Sequence, residues 1–384
     1  MSNTVRSAAP VATPAPENAT MTEPLTSAET AEHLEPKEYK KFLRTSSSYG
    51  SFHLDEDELD RPSSIFKTGY PIVCILFAIA CSVMLIIEFW TNGWKMESMS
   101  VNPTVGVSVN TLLELGAKRG DLILAGQWYR LIAPMFLHAG VIHYAFNMFG
   151  LWQIGFPLEK QFGSLATFLI LFVGGFEGVV WSAILSPATV SVGASGAVFA
   201  LFGSGWSDLI HNWSLYHGRQ WCVFFNLFFA TAINLLIGLM PYLDNFAHIA
   251  GLLTGVLVGF GVLVANRYTR WGELKERKTY QIVLQVIAVI ITPLLITASL
   301  LILYLGVEAE EWCSWCSYLS CVPFPPKNPW WTCDECSDYG VTAYYATSSI
   351  LTVNCPSGQA VNTTAPSGLA ENSALLIELC QEIC

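Results

Sequence analysis

From Tyr70 onward the chain is a succession of apolar stretches, each about as long as a lipid bilayer is thick, and this leaves it few ways to fold. The first, Tyr70 to Trp90, carries no charge until Glu88, and six more follow at about 132–156, 164–186, 195–210, 221–241, 246–266 and 281–306. A helix of roughly 20 apolar residues crosses a hydrocarbon layer about 30 Å thick. Inside lipid, every backbone amide must find its partner within the protein, which a helix provides. The pattern predicts an all-α polytopic membrane protein with seven spans. Several stretches are short, notably the one opening at Ser195, which implies helices that end in a water-filled cavity rather than crossing the whole bilayer.

Composition agrees: 52% of the 384 residues are hydrophobic and 13% charged, and a mean hydropathy of +0.44 is too apolar for a soluble chain. The net charge of -11 says little about partners in a protein divided by a bilayer, and nothing points to nucleic acid. Residues 1–68 are polar, rich in Pro, Ser, Thr and Glu, with an acidic run from Asp55 to Asp60. They lack the apolar surface for a core and read as a disordered tail. With no apolar segment ahead of a cleavage site, and with Glu17, Glu23 and Glu29 arguing against a mitochondrial presequence, entry into the membrane falls to the first span. Residues 69–306 form the membrane domain, and 307–384 a separate tail.

Lys and Arg set the orientation. With a cytoplasmic N-terminus, fourteen of the nineteen lie on the cytoplasmic side, whereas Lys95, Lys118, Arg119, Arg130 and Lys327 lie outside. The positive-inside rule then places the N-terminus in and, after seven spans, the C-terminus out. The tail fits an oxidising compartment, for eight of the eleven cysteines follow the last span: Cys313, Cys316, Cys321, Cys333, Cys336, Cys355, Cys380 and Cys384. The C-x-x-C pairs could in principle bind zinc, but disulfides are the expectation there, without a connectivity. Cys74, Cys81 and Cys222 read as small apolar core residues. Of two sequons, Asn362-Thr363-Thr364 falls outside and Asn212-Trp213-Ser214 on a cytoplasmic turn. The long connection 91–131 reads as an amphipathic piece in the outer interface, with Trp128 and Arg130 as headgroup-level anchors.

Ionisable and amide side chains inside these spans are expensive and usually functional. Ser195 stands among Gly193, Ala194, Gly196 and Ala197 at the outer mouth of span four. His248 stands in the first turn of span six, which also runs inward, so the two share one depth. Small residues around a serine ordinarily serve close helix packing. Gly251, Gly255 and Gly259 on the His248 face supply the matching surface, and together the two spans can bring a nucleophile against a general base. No third acidic member is evident. In span two His143 and Asn147 are four apart and share a helix face, where imidazole and amide can stabilise an oxyanion beside the Gly193–Ser195 backbone. His138 lies a turn higher, nearer water. The bland account of each is a structural hydrogen bond in the bundle.

The set His138, His143, Asn147, followed by Gly193-Ala194-Ser195-Gly196 and then Ala247, His248, Gly251 and Gly255, with Trp128-Tyr129-Arg130 in the long first loop, resembles the rhomboid family of intramembrane serine proteases over about residues 70–306. The resemblance implies a six-helix core. The extra seventh span after it is similar to the eukaryotic secretory-pathway subclass, in a Golgi, endosomal or plasma membrane. The family's nucleophile falls on Ser195, its general base on His248 and its oxyanion site on Asn147, His143 and Gly193. Arg130, Trp128, His138, Gly196, Gly251 and Gly255 fall on its structural motif. The resemblance implies an endopeptidase acting on single-span membrane proteins in the bilayer, without metal or cofactor. A catalytically silent relative serving as chaperone or trafficking factor ranks second. A transporter ranks third, since the chain has no repeat and only Glu177 as an intramembrane carboxylate, itself read as hydrogen-bonding the first loop or a neighbouring helix. Phe224, Phe225, Phe228 and Phe229 make span five the candidate lateral gate.

Overall fold

The computed structural model describes residues 70–99, 102–187, 189–216, 218–240, 243–265 and 276–307, with parts of 313–383. Residues 1–69 lie outside the described residues, as do Cys321, Cys333, Cys336, Cys355 and Cys384. The described membrane domain is helical: α1 (Ile72–Thr91), α2 (Val109–Leu115), α3 (Gly120–Leu124), α4 (Val141–Gly150), α5 (Phe156–Phe162), α6 (Ser164–Leu185), α7 (Ser195–His211), α8 (Gln220–Ile237), α9 (Asn245–Val262) and α10 (Thr279–Tyr304). By length and composition α1, α6, α8, α9 and α10 can each cross a membrane. The membrane domain is an all-α polytopic fold.

The second apolar stretch does not form one helix from residue 132. Two short 3-10 turns, Trp128–Leu131 and Ala133–Met135, precede it, and α4 begins only at Val141. A π-helical turn, Leu151–Gly155, then joins α4 to α5. Pro157 accounts for the wide turn, because it has no N–H to offer the carbonyl four residues back. Next, Glu159 accepts from Val73 N at 2.8 Å, Cys74 N at 2.9 Å and Ser164 Oγ at 2.7 Å. One carboxylate thus satisfies orphan amides at the start of α1 and holds the hydroxyl that opens α6.

Helices α6, α7 and α9 form the centre, and glycine permits their approach. A Cβ on Gly251 would lie 2.2 Å from Gly196 O, and one on Gly255 2.1 Å from Ala200 O. Both contacts are to backbone, which cannot swing aside, so α9 lies directly on α7. Gly255→Val is expected to force the pair apart and destabilise the fold by roughly 1–3 kcal/mol. A thermal unfolding midpoint in detergent checks this, and an unchanged midpoint would contradict it. Glu177, within α6, accepts from Ser299 Oγ of α10 at 3.0 Å, so its partner is a neighbouring helix.

The first loop is folded rather than laid flat. Ser108 Oγ caps α2 by accepting from Thr111 N, and Gly116 at φ 105° closes it. Trp128 is 65% exposed, as a headgroup anchor would be, but Arg130 is only 5% exposed. Its Nη1 donates to Leu113 O at 2.9 Å and Ala117 O at 2.7 Å, and its Nε to Gln127 Oε1 at 2.7 Å. Arg130 therefore does not anchor to headgroups; it binds two carbonyls at and just beyond the C-terminal end of α2. Cys74 and Cys81 are buried as expected, whereas Cys222 is exposed.

Beyond α10 the chain departs from all-α. Strands β1 (Thr342–Tyr345), β2 (Ile350–Asn354) and β3 (Ala360–Thr364) make an antiparallel sheet. Cys313 is joined to Cys316, and both pack against Phe246 of α9. Asn245 Nδ2 donates to Leu319 O at 2.9 Å, and Val322 N to Leu239 O at 3.1 Å. This part of the tail is thereby fixed to the α8–α9 turn.

Candidate active site

Ser195 is the first residue of α7, and its N–H belongs to the first turn, whose amides have no intrahelical acceptor. Gly193 sets the approach: at φ 137° it adopts backbone that other residues avoid. A Cβ there would lie 2.9 Å from His143 Nε2 and 3.5 Å from Ser195 Oγ. The missing side chain is what lets the imidazole sit beside the serine. Gly193 N donates to Pro134 O at 2.8 Å. Its amide is therefore already used, and Gly193 serves by conformation rather than as an oxyanion donor.

His248 lies in the first turn of α9, 4% exposed. Phe199, one turn into α7, stacks on the imidazole with ring centroids 4.2 Å apart and planes at 11°. Beside the pair, a Cβ on Gly196 would meet Ala247 O at 3.4 Å, so the neighbours of serine and histidine pack directly. Neither nitrogen of His248 has a hydrogen-bond partner in this structure. Hydrogen bonds between catalytic groups are often unmade in unliganded enzymes and tighten with substrate.

In α4 the predicted face is present. Ala139 N donates to His143 Nδ1 at 3.4 Å, which leaves Nε2, the nitrogen beside Gly193, to carry the proton. Asn147 Nδ2 donates to His143 O at 3.1 Å; an amide has two N–H bonds, and the second remains to serve an oxyanion. His143 and Asn147 are both buried on this face.

His138 is not nearer water. It precedes α4, is fully buried, and meets His143 and Tyr144 edge-on, with centroids 5.5 and 5.3 Å away. Its backbone N–H donates to Glu88 Oε1 at 2.8 Å. Glu88, the one carboxylate of the first span, thus fixes the turn behind His143, a role that only its costly position in an apolar run could have signalled. Among the described residues no group of His, Cys, Asp and Glu could hold a metal ion.

The assembly holds a hydroxyl at the start of α7, a stacked imidazole in the first turn of α9, which packs on α7, and two N–H donors on α4. Those are the parts that nucleophilic attack on a carbonyl needs.

The Rhomboid domain family model matches residues 125–265. The protein named RHOMBOID-like protein 6, mitochondrial, of Arabidopsis thaliana is 38% identical over 242 residues, covering 60% of this chain and 78% of that one. Inactive RHOMBOID-like protein 8 of the same plant is 29% identical over 277 residues, covering 66% and 74%. Rhomboid protease GluP of Bacillus subtilis (strain 168) is 31% identical over 201 residues, covering 52% and 36%.

Proposed function

The chain belongs to the rhomboid family, and from that premise we propose that it is an intramembrane serine endopeptidase that cuts single-span membrane proteins in or near their transmembrane segments. The observation that carries the reading is the placement of Ser195 and His248 at one end of two helices packed backbone to backbone through Gly196 and Gly251. In the reaction His248 takes the proton from Ser195 Oγ as that oxygen attacks the scissile carbonyl carbon. His143 Nε2–H, the Asn147 amide and Ser195 N–H stabilise the resulting oxyanion. The imidazolium then protonates the leaving amine, and water, deprotonated by His248, hydrolyses the acyl-serine ester and frees the hydroxyl.

A silent chaperone-like member is the second reading, favoured by the absence of a hydrogen bond on either His248 nitrogen. Co-expression with a tagged single-span type I protein decides between them. Ectodomain release by wild type and none by Ser195→Ala is expected; equal release by both would sink the protease reading.

Access requires a lateral entry, and α8 is the proposed gate. Among its residues only Leu227 and Thr231 are buried, while Phe225, Phe228 and Phe229 are 51%, 47% and 57% exposed. Trimming these three to Ala is expected to raise the initial cleavage rate several-fold, as loosening of a rate-limiting gate would. Unchanged or lower rates in folded variants would remove α8 from that role.

Secretory-pathway residence, with the N-terminus in the cytoplasm and the cysteine-rich tail outside, completes the proposal. Asn362 is exposed on β3, whereas Asn212 is fully buried, donating to Asp208 Oδ1 at 2.7 Å and Leu263 O at 2.9 Å. An endoglycosidase-sensitive shift abolished by Asn362→Gln and unaffected by Asn212→Gln is expected. Glycan at Asn212 would reverse the orientation, and no glycan at either would point to a compartment such as that named for the mitochondrial relative.

A further inference from the structure

Outside the groups already assigned, one cluster joins the two limbs of the site. Lys118, in the first loop, is fully buried. Its backbone pairs with Ser191, four residues before the nucleophile, through Lys118 N to Ser191 O at 2.9 Å and Ser191 N to Lys118 O at 3.2 Å. Its Nζ donates to Ser186 O at 2.8 Å and reaches Ser182 O at 3.5 Å. Ser182, itself buried, donates its hydroxyl to Asp244 Oδ2.

Asp244 caps α9. Its Oδ1 accepts from Ala247 N at 3.0 Å, and its carbonyl accepts from His248 N at 3.2 Å. Burial pushes the Lys118 ammonium down to about 8, against the pull of Asp244. Burial also raises the Asp244 carboxyl, but Lys118 and the hydroxyls of Ser182 and Ser191 outweigh this and hold it below the usual range. Each group thus favours the charged form of the other, and a buried cation is retained only against a matching anion.

We propose that Asp244 is a positioning residue for His248, an anion one helical turn away that fixes the turn carrying the imidazole and favours the positive charge it gains from Ser195. Lys118 is its counter-charge and ties it, through Ser182 and Ser191, to the segment that carries the nucleophile. Asp244 makes no hydrogen bond to the imidazole, whose nitrogens are both unpartnered. It therefore acts through the helix turn and the field, unlike the aspartate of a hydrogen-bonded triad.

The inference rests on the protease reading, and substrate-independent labelling of Ser195 by a fluorophosphonate separates the two. Labelling rate and thermal unfolding are measured in detergent for wild type, Asp244→Asn, Lys118→Met, the Lys118→Met/Asp244→Asn double variant and Ser182→Ala. Asn still caps a helix, so Asp244→Asn chiefly removes charge and is expected to slow labelling about tenfold. Lys118→Met leaves Asp244 uncompensated and should unfold at lower temperature; the double variant restores charge balance and the midpoint, yet labels as slowly as Asp244→Asn. Ser182→Ala, which cuts the link without altering charge, should slow labelling several-fold. A double variant labelling at the wild-type rate would overturn the proposal, because a purely structural tie is repaired by neutrality. Wild-type labelling in Asp244→Asn or Ser182→Ala would overturn it as well. No labelling of folded wild-type protein would instead overturn the protease reading beneath it.

Discussion

Ser195→Ala and His248→Ala are each expected to lower cleavage by roughly 10³-fold or more, and the double variant to be no worse than either alone. A serine hydroxyl attacks a carbonyl poorly unless a base removes its proton as the bond forms, so the two side chains act as one device and losing either removes the whole gain. The setting supports this coupling. The Phe199 ring holds the His248 plane at 4.2 Å, and Ser195 is fixed at the first position of α7, so neither group compensates by moving. Neither substitution removes a hydrogen bond found in this structure, so both variants should fold. Robust turnover by both singles with a much poorer double variant would contradict a dyad.

Asn147→Ala is expected to lower turnover by roughly 10²-fold with expression unchanged, the usual consequence of removing one preorganised donor to an oxyanion. The side chain makes one local bond in the resting structure, to His143 O at 3.1 Å, so a purely structural role would show as lost stability rather than lost turnover. His143→Ala should lower turnover comparably, since its Nε2 is the donor beside Gly193. Purified variants assayed on one substrate, with unfolding midpoints measured alongside, check both. Wild-type turnover by a folded Asn147→Ala protein would transfer the hole to His143 and the Ser195 amide.

Apolar run length made the long helices legible from sequence, and their order made the site legible, because Ser195, His248, His143 and Asn147 each stand out as polar groups in lipid-length segments. Whatever depends on loops was not legible. The apolar run extends span two back to residue 132, but the chain there is two 3-10 turns, and His138 precedes the helix instead of lying on it. Arg130 has an interfacial sequence context, yet its partners are carbonyls 17 and 13 residues earlier. Glu159 binds amides 86 and 85 residues away, and no short-range pattern encodes such a pairing. The Gly193 amide has the sequence position of an oxyanion donor, but Pro134 O, 59 residues earlier, accepts from it.

The central claim is that His248 activates Ser195, and covalent capture tests it without knowledge of the substrate. Purified protein is treated with a fluorophosphonate, digested and mapped by mass spectrometry. The account predicts one adduct, on Ser195, in wild-type protein and none on that residue in folded His248→Ala. No adduct on Ser195 in folded wild type, or equal labelling in the His248 variant, would contradict it.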